Sequence, residues 1–167
     1  RSADPTFICE GALCVARALS NGFIARSVLS TESPLAELKN RVGAERLAGC
    51  ELITTSAQAL REITGFDFHR GILADVYRPA PGVLPTNLLR QRALSTVVAT
   101  EQVTNPANMG ALIRNCRSFG VDGLLRDQSS ADPFSRQAVR AAMGNSFSLP
   151  MWRTDSLQDS FKAWRAS

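Results

Sequence analysis

Short apolar runs alternate with amphipathic segments along the first part of the chain, and this pattern predicts strands separated by helices. Apolar runs flanked by turn residues predict strands, whereas apolar residues that recur every three or four positions predict helices. The predicted strands span residues 7–9, 27–29, 51–54 and 71–77, and the predicted helices span 12–19, 31–47 with an interruption at Gly43, and 57–63. This order is typical of a small α/β sandwich, which we assign to residues 1–78.

The segment from residue 79 to residue 93 separates this first domain from a second one. Three prolines and one glycine fall within residues 79–85, and neither a helix interior nor a central strand accommodates them. We therefore predict an interdomain linker over residues 79–93, with a short helix at 88–92.

The second domain, residues 94–167, begins with a strand–helix–strand pattern. Residues 94–100 contain Leu94 and the apolar run 97–99, and we expect a strand that is buried on both faces of a parallel sheet. Asn105 and Pro106 are typical of the cap and the first residue of a helix, and this helix should end at Gly120, before a strand at 121–125. Its buried side should carry its apolar residues, which are Met109, Leu112, Ile113, Cys116 and Phe119. The remaining predicted elements are a helix at 132–143, a strand at 147–151 and a helix at 155–164.

Polar residues gather at the start of this helix and along the side opposite its apolar stripe. A helix N-terminus offers free N–H groups and a partial positive charge, and open α/β sheets bind ligands at the carboxyl ends of their strands. Asn105, Asn108 and Arg114 could therefore bind a sugar hydroxyl beside a phosphate, with Gly110 leaving the approach to the arginine unobstructed. The alternative is that Asn105 only caps the helix and Arg114 only faces solvent.

Two further groups of basic residues are candidates for contacts with a polyanion. Arg136 and Arg140 lie one helical turn apart and share a face, near serines at positions 129, 130 and 146 that could help to hold a phosphate. The alternative is a solvated helix face. His69 and Arg70 precede a predicted strand; because the sequence has no nucleophile motif, a structural or RNA-contacting role for His69 is favoured over general-base catalysis.

The composition excludes few functions. Hydrophobic residues make up 44% of the chain and charged residues 20%, and no apolar run approaches the roughly 20 residues that cross a bilayer. The net charge is +4, and all but two of the 19 basic residues are arginines, which suit forked contacts with phosphate. A polyanionic partner is compatible with this charge but is not required by it.

The distribution of cysteine and histidine predicts no metal site. Four cysteines form no C-x-x-C pair, and His69 is the single histidine, whereas a structural zinc site needs four such ligands at tight spacing. We expect reduced thiols in the core of a cytoplasmic protein, and for Cys9 and Cys14 a place in the core is favoured over a role as nucleophiles. The first residues contain neither a methionine nor the apolar segment of a signal peptide, so we expect a trimmed or processed start.

The string from Asn105 to Arg114 resembles the first motif of the SpoU (TrmH) family of RNA 2'-O-ribose methyltransferases, which belong to the knotted SPOUT class. The segments that extend this resemblance are residues 120–123, 131–133, 138–140, 143–144 and 147–150. Residues 9–11 and 69–74 resemble the L30e-like RNA-binding domain that precedes the catalytic domain in many members. The resemblance therefore implies an α/β protein with an L30e-like domain followed by a parallel-sheet SPOUT (α/β knot) domain.

The family resemblance also implies a chemistry. The residues that match Asn108 and Arg114 handle the target ribose, and since a guanidinium stays protonated and is a poor base, we expect Arg114 to orient the ribose and to stabilise the developing alkoxide. The methyl donor would be S-adenosylmethionine, the substrate an rRNA or a tRNA, and the assembly a homodimer; no metal is needed. The residues expected to contact RNA are Asn105, Arg117, Arg136, Arg140, His69 and Arg70.

The chain departs from the family pattern in two places. Ala142 and Asn145 stand where the family often has a serine and an alanine, so we expect local substrate contacts that differ from those of the family. The second and third motifs, which form the knot and most of the cofactor pocket, are not found before Ser167, so we expect the N-terminal half of the catalytic fold, inactive by itself. The alternative is a non-catalytic RNA-binding module. A Rossmann-like nucleotide binder is disfavoured because the first strand-to-helix turn lacks the glycine fingerprint.

Overall fold

The computed structural model describes residues 5–65, 68–80, 82 and 96–166. The chain divides into two compact units, Arg1–Pro79 and Ala80–Ser167. The helix predicted at 88–92 and most of the predicted linker lie outside the described residues. No helix in the described ranges is both long enough and apolar enough to cross a membrane.

Unit 1 is built on a mixed sheet with helices in its connections. Its strands are β1 (Thr6–Glu10), β2 (Ala25–Ser30), β3 (Glu51–Thr54) and β4 (Ile72–Tyr77), and its helices are α1 (Ala12–Ser20), α2 (Glu32–Val42) and α3 (Ala57–Thr64). The strand order is β1-β4-β2-β3. β4 pairs antiparallel with both β1 and β2, whereas β2 pairs parallel with β3. The predicted α/β class is confirmed in this unit.

The elements of unit 1 follow the sequence pattern closely because turn residues mark their ends. Gly43 adopts φ 77° and ends α2, after which Glu45–Leu47 form one turn of 3₁₀ helix. Ser56 caps α3 by accepting a hydrogen bond from the Ala59 N–H at 3.1 Å. These boundaries agree with the predicted interruption at Gly43 and with the predicted start of α3.

In the described part of unit 2, three strands form a parallel sheet. They are β5 (Val97–Thr100), β6 (Gly123–Arg126) and β7 (Met151–Arg153), in the order β5-β6-β7. The helices are α4 (Pro106–Ser118), α5 (Arg136–Ala141) and α6 (Leu157–Ala166). The core of this unit combines the buried side of α4 with residues from the elements around it. Its members are Met109, Ile113 and Cys116 of α4, together with Val121, Leu124, Ala142 and Leu149.

The expected burial of the first strand of unit 2 is wrong. β5 lies at an edge of the described sheet, and Ala99 is exposed while Thr100 is buried. The strand was expected to be buried on both faces because its residues are apolar, but an apolar run does not reveal how many neighbours a strand has. Residues 94 and 95 of the predicted strand lie outside the described residues.

The expected apolar stripe of α4 is correct except at its end. Met109, Ile113 and Cys116 are buried, and Leu112 packs partly against the same core. Phe119, by contrast, is 85% exposed. α4 ends at Ser118, and Gly120 then adopts φ 68°, so Phe119 leaves the helical path before the spacing can carry it to the core.

The helix that follows β6 begins later and ends earlier than the predicted span of residues 132–143. The Asp132 carboxylate accepts a hydrogen bond from the Phe134 N–H at 2.9 Å and forms a turn, while Ser135 caps α5 by accepting from the Ala138 N–H at 3.4 Å. The predicted strand at 147–151 is also wrong, because residues 145–147 form a 3₁₀ turn and β7 begins only at Met151. Ser135, rather than Asp132, therefore caps α5.

Candidate functional site

The start of α4 is held by the side chain of Asn105. The Asn105 Oδ1 accepts hydrogen bonds from the N–H groups of Ala107 at 2.8 Å and Asn108 at 3.2 Å. Pro106 follows as the first helical residue, where its missing N–H is not needed. Asn105 is therefore a helix cap, and its predicted contact with RNA stays a prediction.

The role expected of Gly110 is wrong. Gly110 is buried where α4 crosses α5, rather than lying open beside Arg114. A β-carbon at this position would lie 2.6 Å from the Ala141 Cβ and 2.9 Å from the Ala142 nitrogen, and it would also overlap the Ala138 carbonyl oxygen. The glycine is required because the two helix backbones approach each other closely, a requirement that spacing within one helix does not reveal.

Arg114 lies on the exposed side of α4 and reaches the segment that follows α5. Its Nη1 lies 3.7 Å from the Met143 Sδ, a weak hydrogen bond to sulfur. Met143 is 54% exposed and adopts φ 53°, a left-handed conformation that is uncommon for a residue other than glycine. Met143 was part of the resemblance, but its contact with Arg114 was not predicted. Asn108 and Arg117 are exposed on the same helix.

The loops that follow β5 and β6 are joined by one carboxylate. Asp127 accepts hydrogen bonds from the Gln102 N–H at 3.2 Å and from the Ser130 N–H at 2.9 Å. Gln102 adopts φ 53°, so this contact holds an uncommon backbone conformation. Ser130 is buried, and its Oγ accepts from the Val103 N–H at 3.1 Å.

The hydrogen bonds to Asp127 also decide its ionisation. Partial burial by itself would raise the pKa of Asp127, but hydrogen bonds from the Ser130 hydroxyl and from the N–H groups of residues 102, 129 and 130 outweigh it and lower this pKa. The carboxylate is therefore charged at neutral pH. Sequence reasoning missed Asp127, since nothing in the sequence pairs it with a segment 25 residues away.

Arg136 and Arg140 are both exposed on α5, as their spacing predicts. Two of the serines expected to assist them are structural instead. Ser130 is engaged with the β5 loop, and buried Ser146 donates to the Pro133 carbonyl oxygen at 3.4 Å. A phosphate contact on this face would depend on the two guanidinium groups, whose role stays a prediction.

In unit 1, the two residues expected to contact RNA lie in the turn before β4. His69 and Arg70 are both exposed. The Arg70 Nη1 donates to the Glu10 carbonyl oxygen at 3.4 Å, and the Arg70 Cδ would lie 3.2 Å from a β-carbon at Gly11. The segments 9–11 and 69–74, which carry the L30e resemblance, thus meet at Arg70. Their RNA contact stays a prediction.

Within residues 5–65, 68–80, 82 and 96–166, no group of three or more His, Cys, Asp or Glu side chains could hold a metal ion. The polar groups at the carboxyl edge of the unit 2 sheet include amides, hydroxyls, carboxylates and arginines. Such groups can orient a polar, anionic ligand and stabilise negative charge. The fold is that of an α/β protein, and the carboxyl ends of its parallel strands are the candidate ligand site.

Comparison with known proteins identifies the family within this class. A model of the SpoU rRNA Methylase family matches residues 95–167. The second unit is therefore similar to the SpoU rRNA methylase family, and the resemblance deduced from residues 105–114 is confirmed. The L30e-like character of the first unit stays a prediction.

Individual relatives extend the likeness over both units. An uncharacterized tRNA/rRNA methyltransferase of Mycobacterium bovis is 33% identical over 147 residues, which cover 87% of this chain and 49% of that protein. The 23S rRNA (guanosine(2553)-2'-O)-methyltransferase RlmP of Bacillus subtilis is 25% identical over 168 residues, covering 98% of this chain and 61% of that protein. The chain thus spans about half to three fifths of the length of these relatives.

A solved structure shows the same fold. The AdoMet-bound rRNA methyltransferase from Sinorhizobium meliloti has a TM-score of 0.75 and 25% identity, covering 97% of this chain and 59% of that chain. The predicted fold class, α/β with a parallel-sheet SPOUT domain, is confirmed by this likeness.

Proposed function

We propose that the protein is an RNA 2'-O-ribose methyltransferase that uses S-adenosylmethionine, with Asn108 and Arg114 at the target ribose. The observation that carries this proposal is the position of Arg114. Its guanidinium is exposed on α4, the helix that follows β5, and it lies against Met143 in the segment that follows α5. This arrangement lies within the residues that the SpoU rRNA Methylase family model matches.

Arg114 suits a positioning and electrostatic role. A guanidinium stays protonated at neutral pH, so it is a poor base for the ribose hydroxyl. Its forked donors can instead bind the ribose oxygen and a neighbouring phosphate together. As the hydroxyl loses its proton, the fixed positive charge lowers the energy of the developing alkoxide. Asn108, exposed on the first turn of α4, can orient the sugar through its amide.

S-adenosylmethionine supplies a methyl group on a sulfonium that leaves as a neutral thioether. In the loops after β5 and β6, three N–H groups are already bound by side chains of the protein. The N–H groups of Gln102 and Ser130 are bound by Asp127, and that of Val103 is bound by Ser130. We therefore assign no contact with the cofactor to these loops, and the roles above belong to the ribose.

Two observations support ribosomal or transfer RNA as the substrate. The relatives named above act on ribosomal or transfer RNA by their names, and exposed Arg136 and Arg140 in unit 2 and Arg70 in unit 1 offer guanidinium groups for phosphates.

We infer a cytoplasmic homodimer, as the family resemblance implies. The four cysteines are free thiols, as in a reducing compartment. Light scattering on the purified protein would show a monomer if the dimer is wrong.

The test is methyl transfer from labelled S-adenosylmethionine to RNA by the full-length gene product. We expect Arg114→Ala to lower kcat by at least about 100-fold, the effect of losing one preorganised electrostatic donor. Arg114→Lys should recover only part of the rate, because it keeps the charge and loses the fork. Arg41→Ala on α2, where Arg41 is exposed and paired with Glu37 at 2.9 Å, is the control and should leave the rate unchanged.

Two outcomes would contradict the proposal in different ways. An unchanged rate for folded Arg114→Ala would remove Arg114 from the site. RNA binding by the wild-type gene product without any methyl transfer would favour the alternative, an RNA-binding module without catalysis.

A further inference from the structure

The close crossing of α4 and α5 determines what Arg114 can reach. Gly110 on α4 packs against the Ala138 carbonyl oxygen and the Ala141 side chain of α5, at a separation that leaves no room for a β-carbon. Arg114 lies about one helical turn beyond Gly110 on the same helix, so the crossing brings it close to the segment that follows α5. There its Nη1 donates a hydrogen bond to the Met143 Sδ at 3.7 Å.

The backbone at Met143 adopts a conformation that favours glycine. Its φ is 53°, and Gly144 follows with φ 79°. The turn is held by hydrogen bonds from the Met143 N–H to the Arg140 carbonyl oxygen at 3.2 Å and from the Gly144 N–H to the Val139 carbonyl oxygen at 3.4 Å. These bonds involve only the backbone, so a glycine would form the same turn without the strain that a side chain adds.

Core packing does not explain the methionine at this position. Met143 is 54% exposed, so about half of its surface contributes nothing to a core. A strained backbone that persists at an exposed position points to a function of the side chain. The contact between its sulfur and the Arg114 guanidinium supplies such a function.

A thioether is well suited to hold a guanidinium that has to stabilise negative charge. The Met143 sulfur is an uncharged, weak acceptor, so it engages Arg114 at Nη1 and leaves the remaining N–H donors for a ribose oxygen and a phosphate. A carboxylate in the same place would form an ion pair and offset the positive charge that the developing alkoxide requires. The contact also restricts the rotamers of an exposed arginine before the substrate binds.

We propose that Met143 is a positioning residue for methyl transfer, whose thioether holds the Arg114 guanidinium at the ribose without neutralising it. This inference rests on the proposed function and adds a residue to the same site. Because Met143 acts through Arg114, its loss should slow the reaction and leave the affinity for RNA nearly unchanged. A misplacement of about 1 Å in a catalytic group can slow an enzyme about 100-fold.

The first test compares Met143→Gly with wild type in methyl transfer by the full-length gene product. We expect kcat to fall at least about tenfold while the KM for RNA changes less than about twofold. An unchanged kcat, or a raised KM with an unchanged kcat, would overturn the inference.

Thermal unfolding separates positioning from a structural role of Met143. The melting temperature of Met143→Gly should not fall, because glycine relieves the backbone. Gln102 has the same φ of 53°, and Gln102→Gly is the matched control for the release of strain. A lower melting temperature for Met143→Gly but not for Gln102→Gly would make the methionine structural and would overturn the inference.

The second test uses two substitutions of equal shape and different charge at saturating RNA. Met143→Gln keeps an uncharged acceptor of similar reach, so kcat should stay within about threefold of wild type. Met143→Glu would pair with the guanidinium, so kcat should fall at least about tenfold. Both variants retain a side chain on the left-handed backbone. Equal rates for the two would overturn the need for an uncharged acceptor.

The third test is the double variant Arg114→Ala/Met143→Gly. It should be as slow as Arg114→Ala alone, because Met143 has nothing to position once the guanidinium is removed. A further loss of at least about tenfold would show that the two residues act separately, against the inference. If Arg114→Ala is slow and Met143→Gly is as fast as wild type, this inference fails and the proposed function stands. If folded Arg114→Ala is as fast as wild type, the role proposed for Arg114 fails first.

Discussion

The backbone of Gly110 lies directly against the carbonyl oxygen of Ala138, where α4 crosses α5. On helix propensity alone, Gly110→Ala should stabilise α4 by about 1 kcal/mol. The structure predicts the opposite sign. The new methyl group would meet Ala141 Cβ at 2.6 Å, and such overpacking costs about 1–3 kcal/mol. Urea denaturation measures the change in the free energy of unfolding.

A control substitution on the same helix separates the effect of the close contact between α4 and α5 from the effect of helix propensity. Ser118→Ala lies at the exposed end of the same helix and should change the free energy of unfolding by less than about 0.5 kcal/mol. If Gly110→Ala proved as stable as Ser118→Ala or more so, the close approach of α4 and α5 would be wrong.

Asn105→Ala should lower the free energy of unfolding by about 1 kcal/mol, because the first-turn N–H groups lose their cap. Asn105→Ser should retain most of the stability, since a serine oxygen can cap the same turn. Thermal unfolding of both variants tests this. RNA affinity of the serine variant then separates the two expected roles of Asn105: a well-folded variant with weakened binding would indicate a contact with RNA, whereas unchanged binding would leave it as a cap.

Asp127→Asn should destabilise the protein at pH 7 by about 1–2 kcal/mol, because the amide can replace only one of two accepting oxygens. The pKa of Asp127 is lowered in the folded state. Its contribution is therefore fully present above its ordinary pKa of about 4 and is lost as the pH falls through the lower folded-state value. The difference between wild type and variant should shrink below about pH 4, measured by denaturant unfolding across this range.

The control for Asp127 is Asp159→Asn. Asp159 is exposed and lies 3.7 Å from Lys162 in a surface ion pair, which contributes little. Its substitution should leave both the stability at pH 7 and the pH profile nearly unchanged. A difference between Asp127→Asn and wild type that stays constant from pH 7 to pH 3 would show that the carboxylate charge is not what stabilises these loops.

The double variant Arg136→Ala/Arg140→Ala should weaken RNA binding and flatten its salt dependence. Each phosphate contact that is lost should reduce the slope of log K against log salt by about 0.7 for single-stranded RNA. Fluorescence anisotropy at several KCl concentrations measures this slope. The control, Lys39→Ala/Arg41→Ala on exposed positions of α2, removes the same charge. If the two double variants showed the same slope of log K against log salt, Arg136 and Arg140 would contribute only through the net charge of the protein.

Much of the fold could be predicted from the sequence where turn chemistry and periodicity agree. β3 spans Glu51–Thr54 as predicted, and the Asn105-Pro106 pair marked the start of α4. One prediction failed because the deciding partner lies elsewhere in the chain: the burial of Gly110 depends on α5. The prediction for Phe119 failed for a local reason, because α4 stops one residue before it.

The candidate site could be predicted only in part for the same reason. A motif of consecutive residues revealed Asn108 and Arg114, because their chemistry is local to one helix. The contact of Arg114 with Met143 and the hydrogen bonds of Asp127 join segments that are 29 and 25 residues apart. Such pairs leave no periodic signal in a single sequence, because only the folded chain brings the two segments together.

The hydrogen bonds of Asp127 tie the loop after β5 to the loop after β6. Asp127 binds the N–H of Gln102, whose backbone is left-handed, and Ser130 binds the N–H of Val103. A loop graft intended to change specificity would therefore have to transplant residues 101–104 together with 127–131. Replacing either loop alone would remove the hydrogen-bond partners of the loop that remains.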